Sequence, residues 1–371
     1  MWCFFLDFIY FIYIFAQNTC RMKTYNYKSI SKIFFVGDIH GEFNDIFYSI
    51  RNKTNLPHEL EATPHPWLEE DKGDNSDGSA YDGEINSKND CSMENSVIIF
   101  AGDCGLGFNK LAYYEQIFND ANKLFSASNT TLLFMRGNHD DPAYFEEERI
   151  NFSHIKTIPD YSVILTQTNN ILCIGGAISI DRSWRKSQEI IINRYSKSHQ
   201  KKMYWDDEGI KLDMHKLNDI FNSIDDISIV VTHSAPKFVY QTTTNINDWL
   251  NNDSSLYTDL QAEDRVLTEL YYELNKHFNI KLWEYGHFHM GKEEIIMRDG
   301  HCILFTCLSP SCIDTQIDNK LEAVSKIQAK WQDSISIPYP LSNNMRRYFD
   351  INSQNLGPYP QYDLMDAAIL P

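Results

Sequence analysis

Basic residues, paired cysteines and long apolar stretches are all scarce in this chain of 371 residues. Lysine and arginine number 33 against 51 aspartates and glutamates, a net charge of −18. That balance argues against binding of long nucleic acids, which needs clustered positive charge. The eight cysteines form no regular framework and no Cys-x2-Cys pair, so they predict buried thiols in a reducing compartment. No Gly-x-Ser-x-Gly elbow is present, which argues against a serine hydrolase.

The apolar N-terminal stretch, residues 2–16, is shorter than the roughly 20 residues that a membrane-spanning helix needs. It also lacks the basic start of a secretory signal, and Met22 opens a sequence that leads directly into the first apolar run. We interpret residues 1–21 as an apolar extension from a misassigned start, with a membrane tether through residues 2–16 as the alternative. A cytoplasmic location is therefore expected.

Polar clusters follow strand-like apolar runs at five places in the chain. Short runs of β-branched and aromatic residues closed by glycine or polar residues are typical of buried strands. In open α/β sheets, ligands gather beyond the carboxyl ends of the strands, so the five clusters are expected to converge on one site. The clusters are Gly37-Asp38-Ile39-His40-Gly41, Gly102-Asp103-Cys104-Gly105, Gly137-Asn138-His139-Asp140, Thr232-His233-Ser234 and Gly286-His287-Phe288-His289.

The residue types in these clusters predict a metal centre. Residues i and i+2 of an extended segment point to the same side, so Asp38 with His40, and His287 with His289, can face a common centre. Carboxylate, imidazole and amide ligands suit Mn, Fe or Zn better than calcium, which prefers oxygen ligands alone. Each cluster by itself is typical of a turn or an incidental pair, and the prediction depends on the occurrence of all five.

As a set, these motifs resemble those of the calcineurin-like metallophosphoesterase family, over roughly residues 32–310. The resemblance implies a four-layer α/β/β/α sandwich, in which two mixed β-sheets are flanked by helices, with a dinuclear metal centre at the strand ends. It implies that one metal ion is held by Asp38, His40, Asp103 and His289, and the other by Asp103, Asn138, His233 and His287. His139 would assist the leaving group, and Asp140 would orient His139.

The expected activity is metal-dependent hydrolysis of phosphoester bonds. Two metal ions about 3.5–4 Å apart can clamp a phosphoryl oxygen and activate a bridging water for in-line attack at neutral pH. A histidine beside the site can donate a proton to the departing alkoxide. We expect two divalent ions, with Mn favoured over Fe and Zn. A catalytically idle metal-binding module of the same fold is the alternative from another class, and retention of every ligand type together with His139 argues against it.

One departure from the family bears on the substrate. Protein Ser/Thr phosphatases of this superfamily continue Gly-Asp with Asp and Arg, whereas here Gly102-Asp103 is followed by Cys104-Gly105-Leu106. Arg136, directly before Gly137, does match their Arg-Gly-Asn-His form. A phosphorylated small molecule or a nucleotide is therefore at least as well supported as a phosphoprotein, and a phosphoprotein Ser/Thr phosphatase or a nucleotide phosphodiesterase stays open.

Three arginines are candidates for substrate binding, since arginine binds phosphate bidentately. They are Arg136, Arg182 and Arg185, and Trp184 could stack on a base. The alternative is that Arg182 and Trp184 have structural roles. Asp181 and Arg182 would then form an ion pair, and Trp184 would lie in the core.

The motifs span one large catalytic domain, residues 22–312. Residues 57–96 carry 11 Asp and Glu against 2 Lys and predict a solvated acidic insertion. Residues 313–371 predict a loop-rich C-terminal segment. Apolar residues at helical spacing predict helices over residues 41–51, 112–125, 214–221 and 260–277.

Overall fold

The buried apolar runs of the sequence form the strands of two β-sheets. The structure, a computed structural model, describes residues 22–54, 92–195, 201–239 and 246–336. The strands within these ranges are β1 Thr24–Tyr27, β2 Lys32–Val36, β3 Ser96–Phe100, β4 Thr130–Phe134, β5 Ile155–Thr157, β6 Ser162–Thr166, β7 Asn170–Ile174, β8 Ile229–Thr232, β9 Leu282–Tyr285, β10 Lys292–Arg298, β11 His301–Cys307 and β12 Ile313–Asp314.

Both sheets are mixed, and each has a parallel centre. The seven-stranded sheet has the order β1-β6-β7-β8-β9-β11-β10, and the five-stranded sheet has the order β12-β2-β3-β4-β5. Strands β2, β3 and β4 pair in parallel, as do β7, β8 and β9, whereas β12 joins β2 in the antiparallel direction. Each parallel centre therefore directs several strand ends, with the loops that follow them, to one edge of its sheet.

Helices cover the outer face of each sheet. The helices among the described residues are α1 Phe43–Arg51, α2 Leu111–Ala127, α3 Ala143–Glu146, α4 Arg182–Tyr195, α5 Met214–Ser223, α6 Asn247–Asn252, α7 Leu256–His277 and α8 Ile317–Ser336. Phe43 of α1 and Phe118 of α2 pack edge-on, with ring centroids 5.0 Å apart, and Phe118 stacks on Phe134 of β4. Leu217 of α5 and Leu274 of α7 belong to the corresponding core on the seven-stranded sheet.

The inner faces of the two sheets are buried as well. Phe35, Ile99 and Leu133 are fully buried, yet they lie outside the core beneath α1 and α2. Alternation along a strand places them on the opposite face, toward the second sheet, where Val231 and Leu282 are also fully buried. The layer order is thus helices, sheet, sheet, helices. The predicted α/β/β/α sandwich is confirmed.

A buried lysine of α8 links the two sheets. Lys320 Nζ contacts Asp314 of β12 in the five-stranded sheet and lies 3.5 Å from Glu284 Oε1 of β9 in the seven-stranded sheet. It also donates to Thr306 Oγ1 of β11 at 3.1 Å. Burial raises the pKa of Glu284 well above its usual range, and the nearby lysine opposes that shift. The segment after residue 312 thus contributes to the fold.

The predicted strands and the four predicted helices are found, and two boundaries need correction. The chain after residue 312 was predicted to be loop-rich, but it begins with β12 and α8; residues 337–371 lie outside the described ranges. The predicted insertion ends too late, because Met93 is fully buried and β3 begins at Ser96. Its first part, up to residue 91, and residues 1–21 lie outside the described ranges. Cys312 is exposed, unlike Cys302 and Cys307.

The chain divides into two compact units. The part of the chain up to Ser325 forms one compact unit, which holds all the strands and the site described below, and a second unit begins at Lys326. None of the helices in the described ranges combines the length and the apolar character that crossing a membrane requires.

The acidic segment is expected to be dispensable for folding once its end is corrected. Met93 N donates to Lys53 O at 2.7 Å, so the two ends of residues 55–91 lie side by side and a short linker can join them. Replacing residues 55–91 with four glycines and serines should leave the thermal unfolding midpoint within a few degrees of the wild type, measured by circular dichroism.

Deletion of residues 57–96 is the matched control. It removes the buried Met93 side chain and the first residue of β3, and loss of such a side chain costs about 2–5 kcal/mol. The unfolding midpoint should therefore drop sharply in this variant alone. Equal midpoints for the two deletions would contradict the boundary at residue 92.

Candidate metal centre

The five predicted clusters meet where the carboxyl-end edges of the two sheets adjoin. Asp38, Asp103 and Asn138 follow β2, β3 and β4, and His233 and His287 follow β8 and β9. Contacts cross between the sheets in both directions. His287 N donates to Asp38 Oδ2 at 2.9 Å, and His233 Nδ1 lies 2.7 Å from Ala101 O. The structure therefore brings all seven predicted metal ligands into one site.

One group of potential ligands consists of Asp38, His40 and His289. His289 Nε2 lies 2.7 Å from Asp38 Oδ2 and 3.2 Å from His40 Nε2. Asp38 is buried, whereas His40 and His289 are exposed to solvent. A carboxylate and two imidazoles at this spacing form a donor set that suits a divalent transition metal and is open on one side.

A second group consists of Asp103, His233 and His287. His233 Nε2 lies 3.2 Å from Asp103 Oδ1 and 2.9 Å from Asn138 Oδ1. His287 Nδ1 lies 3.0 Å from the same amide oxygen. Because the carbonyl of Ala101 can only accept, His233 Nδ1 is the donor in their bond, and Nε2 is left to face the site. The four side chains thus converge through ligand-type atoms.

Asp103, a member of the second group, also belongs to a third group with His40 and His139, and this third group shares His40 with the first. His139 N donates to Asp103 Oδ1 at 2.7 Å, while its Nε2 is 4.0 Å from Asp103 Oδ2. The His139 ring meets that of His40 edge-on, at a centroid distance of 5.2 Å. Burial lowers the pKa of His139 to about 4, although Asp103 opposes the shift.

The backbone at these residues is strained. His40, Asp103, His287 and His289 all have positive φ, between 46° and 65°, a region that side-chain-bearing residues seldom adopt. The sequence predicted extended segments here, in which residues i and i+2 share a side. Asp38 and His40 do face one centre, but a turned backbone brings them there. The surrounding packing must hold this conformation, which is typical of functional sites.

Close approach of the sheets explains two glycines of the motifs. A Cβ on Gly286 would lie 2.2 Å from Asp38 Oδ1, and a Cβ on Gly102 would lie 2.3 Å from His233 Nδ1. Gly102 also has a φ of +101°. Any larger residue at either place would displace a candidate ligand.

A buried pair, Ser179 and Glu208, orients Asn138, and the sequence analysis missed it. Asn138 Nδ2 donates to Ser179 Oγ at 2.7 Å, and Ser179 Oγ donates to Glu208 Oε2 at 2.6 Å. Glu208 Oε1 accepts from Ser179 N at 2.8 Å. Burial raises the pKa of Glu208 to about 7. With its amide nitrogen bound in this way, Asn138 presents its oxygen to His233 and His287. The position of Ser179 shortly after β7 was the available signal.

Asp140 does not have its predicted role. Its carboxylate accepts from the backbone N–H groups of Gly105 at 2.8 Å, Leu106 at 2.9 Å, Cys104 at 3.0 Å and Gly137 at 2.8 Å. Among the described residues, no hydrogen bond joins the Asp140 carboxylate to His139. The expectation that Asp140 orients His139 is thus corrected: Asp140 ties the loop after β3 to the loop after β4, and so places Asp103 and Asn138 together.

The three arginines predicted to bind substrate are engaged by the protein itself. Arg136 is buried, with Nε and Nη2 bonded to Asp160 at 2.9 and 2.7 Å and Nη1 bonded to Glu208 O at 2.7 Å. Arg185 pairs with Asp181 at 3.3 Å, and among the described residues its buried Nη2 has no partner. We therefore correct the assignment of Arg136 to phosphate binding, whereas that of Arg185 stays a prediction.

Arg182 is likewise bonded within the protein, but not to Asp181, the partner considered from the sequence. It pairs with Asp253 at 2.6 Å and with Asp259 at 2.7 Å, rather than with Asp181. Trp184 is 51% exposed in α4, so it is not part of the core. It is also not among the residues that line the cavity at the site.

The donor set fits divalent cations. Burial disfavours charge, but Asp103 raises the pKa of His233 to about 10, and His233 and His139 hold the pKa of Asp103 well below its usual range. The two side chains therefore favour a proton between them. A metal cation bound between His233 and Asp103 would replace this proton, since side chains bind metal ions in their deprotonated form. Two carboxylates, an amide oxygen and four imidazoles in two adjoining groups are sufficient to hold two ions.

The role of Asp140 in joining the loops predicts a large effect on stability. Asp140→Ala leaves four buried N–H groups without their acceptor, and each such group costs about 1–3 kcal/mol. We expect the free energy of unfolding in urea to fall by roughly 3 kcal/mol or more. Asp141→Ala is the control, because Asp141 accepts one backbone hydrogen bond, from Ala143 N at 3.1 Å, and otherwise lies 4.0 Å from Arg149 Nη1 in a partly exposed ion pair. Equal urea midpoints for the two variants would contradict the structural role.

Comparison with known families agrees with this geometry. The chain matches the profile of the calcineurin-like phosphoesterase family over residues 31–291, which include all five clusters. A comparison with curated proteins finds no match. Because the family match covers more than half of the 371 residues and contains the whole site, the chain belongs to the calcineurin-like phosphoesterase family.

Proposed function

We propose that this protein is an enzyme that hydrolyses phosphoester bonds with two divalent metal ions as cofactors. The family to which it belongs supports metal-dependent phosphoester hydrolysis, and dinuclear metal centres are general in it. The observation that carries the proposal is that two groups of ligand-type side chains are linked through a third, which shares His40 with the first group and Asp103 with the second. One group alone would support a single metal site. Two groups linked in this way support a dinuclear one.

The proposed ligands are those brought together at the strand ends. Asp38, His40 and His289 would hold one ion, and His233, His287 and Asn138 would hold the other, with Asp103 in contact with both. When bound, the ions supply Lewis acidity toward a phosphoryl oxygen and a water activated for in-line attack. Imidazole, carboxylate and amide ligands are compatible with Mn, Fe and Zn, and Mn is our favoured assignment.

The side chains around the site divide the remaining tasks. Ser179 and Glu208 keep the amide oxygen of Asn138 directed inward, and Asp140 keeps the two loops together. His139 lines the cavity without belonging to either ligand group of the proposal, and its exposed fraction is 30%. From there its N–H can donate to the oxygen of the leaving group as negative charge builds up on it.

The cavity favours small substrates. Its volume is about 520 Å³, within the range of pockets for small ligands. A phosphorylated small molecule or a nucleotide is therefore our proposal, in preference to a phosphoprotein. The buried free thiols Cys173, Cys302 and Cys307 support a reducing, cytoplasmic location as part of the same proposal.

Metal content and activity should depend together on Asp103. Asp103→Asn removes the charge that both ions would share, so purified protein should bind fewer than two ions and lose hydrolysis of p-nitrophenyl phosphate and bis(p-nitrophenyl) phosphate. Elemental analysis and absorbance assays measure the two properties. Asp120→Asn, in a surface pair with Lys123 on α2, controls for the loss of one carboxylate and should change neither. Two ions and normal turnover in Asp103→Asn would overturn the dinuclear assignment.

A leaving-group comparison separates the role of His139 from coordination. His139→Ala should keep both metal ions and slow the hydrolysis of an alkyl phosphate by about 10²–10⁴-fold, the usual contribution of general acid help. The effect on p-nitrophenyl phosphate should be small, because nitrophenolate departs without protonation. Rates of wild type and variant are compared at matched metal occupancy. An equal loss on both substrates would instead indicate that His139 positions the phosphate, and a loss of metal would make it a ligand.

A further inference from the structure

The cavity at the metal centre has two kinds of lining residue. The histidines and carboxylates of the site are one kind. The other kind is apolar, and its members, named here the apolar wall, come from three separate parts of the chain, after β7, around α6 and after β9. These apolar residues are Ile180, Ile246, Trp249, Phe288 and Met290. A ligand whose phosphoryl group occupies the metal centre must therefore place the rest of its structure beside this apolar wall.

The charge of the cavity argues against a second phosphoryl group. The described residues that line it include no lysine or arginine, and the charge of Asp181 is paired with that of Arg185. The nearby arginines do not change this, because Arg182 is bonded to Asp253 and Asp259, and Arg185 is paired with Asp181. Outside the metal centre, the described lining therefore offers a diphosphate or triphosphate no counter-charge. This favours a substrate with one phosphoryl group.

The helix that carries the tryptophan of the apolar wall is tethered at its end by a buried arginine. Trp249 lies in the short helix α6, and the chain leaves that helix at Asp253. Arg182 Nε donates to Asp253 Oδ2 at 2.6 Å, and its Nη2 donates to Ser255 Oγ at 2.8 Å. These bonds join the end of α6 to α4. An aromatic side chain on an anchored segment is a pre-organised surface, which lowers the entropic cost of binding.

We propose that the substrate of this site is a phosphoester with a single phosphoryl group and a planar apolar organic group, which packs against Trp249 and Phe288. This inference rests on the proposed function, since it assigns the phosphoryl group to the metal centre. Two aromatic rings in one wall favour a planar group over a flexible chain, because stacking adds to the burial of apolar surface. Trp249 thus acts as a residue that determines specificity.

Inhibition by two phosphonates tests the proposal, because phosphonates are not hydrolysed and differ here only in the organic group. Inhibition constants of benzylphosphonate and methylphosphonate are measured with p-nitrophenyl phosphate or bis(p-nitrophenyl) phosphate as the reporter substrate. In the wild type, benzylphosphonate should bind about 10-fold or more tightly than methylphosphonate, as expected for burial of an aromatic ring. The preference should fall to about 3-fold or less in Trp249→Ala, since most of the buried area is lost.

Two further variants complete the test. Trp184→Ala removes a half-exposed tryptophan outside the cavity and should keep the full preference. Trp249→Phe retains a planar ring and should recover most of it. A wild type without preference for benzylphosphonate, or a preference that survives Trp249→Ala, would overturn the inference and leave the proposed function intact. Absence of any hydrolysis of the reporter substrates by the metal-loaded wild type would overturn both.

Discussion

The close approach of the two sheets at one edge is the constraint on which the site depends. A backbone carbonyl of the five-stranded sheet, Ala101 O, accepts from a histidine of the seven-stranded sheet, and a carboxylate of the former, Asp38, accepts from the backbone of the latter at His287. These reciprocal bonds are possible only because Gly102 and Gly286 have no Cβ. The ligand geometry and the packing of the sheets are therefore aspects of a single arrangement.

Charged residues near the centre serve two different purposes. Asp38 and Asp103 direct carboxylate oxygens into the site, whereas Asp140 accepts four backbone hydrogen bonds and holds two loops together. A buried carboxylate satisfied by N–H groups is strongly stabilised, so its removal affects the scaffold before it affects chemistry. Arg136 and Arg182 have the same structural character. They join segments that carry ligands or line the cavity, and they do not face the site.

The distribution of charge also bears on substrate choice. The chain has a net charge of −18, and the described residues that line the cavity include no lysine or arginine. Attraction of a phosphate must then depend on the metal centre itself, which favours a compact ligand with charge at one end. The apolar wall around Trp249 is suited to the other end. Polar and apolar lining residues in one cavity would orient a substrate with its ester bond near His139.

The sequence by itself determined the architecture and the ligand types. Apolar runs closed by polar clusters are a local pattern, and parallel strands bring such clusters to one edge, so the meeting of Asp38, Asp103, His233 and His287 was predictable. The four-layer sandwich was implied by the resemblance of these motifs to a known family. The partners of Asp140, Arg136 and Arg182 were decided only by the tertiary structure. Each is bonded to groups that are distant in the sequence, as Arg182 is to Asp253, and no local pattern encodes such pairs. The same holds for Ser179, Glu208 and Trp249, whose roles come from packing between separate elements.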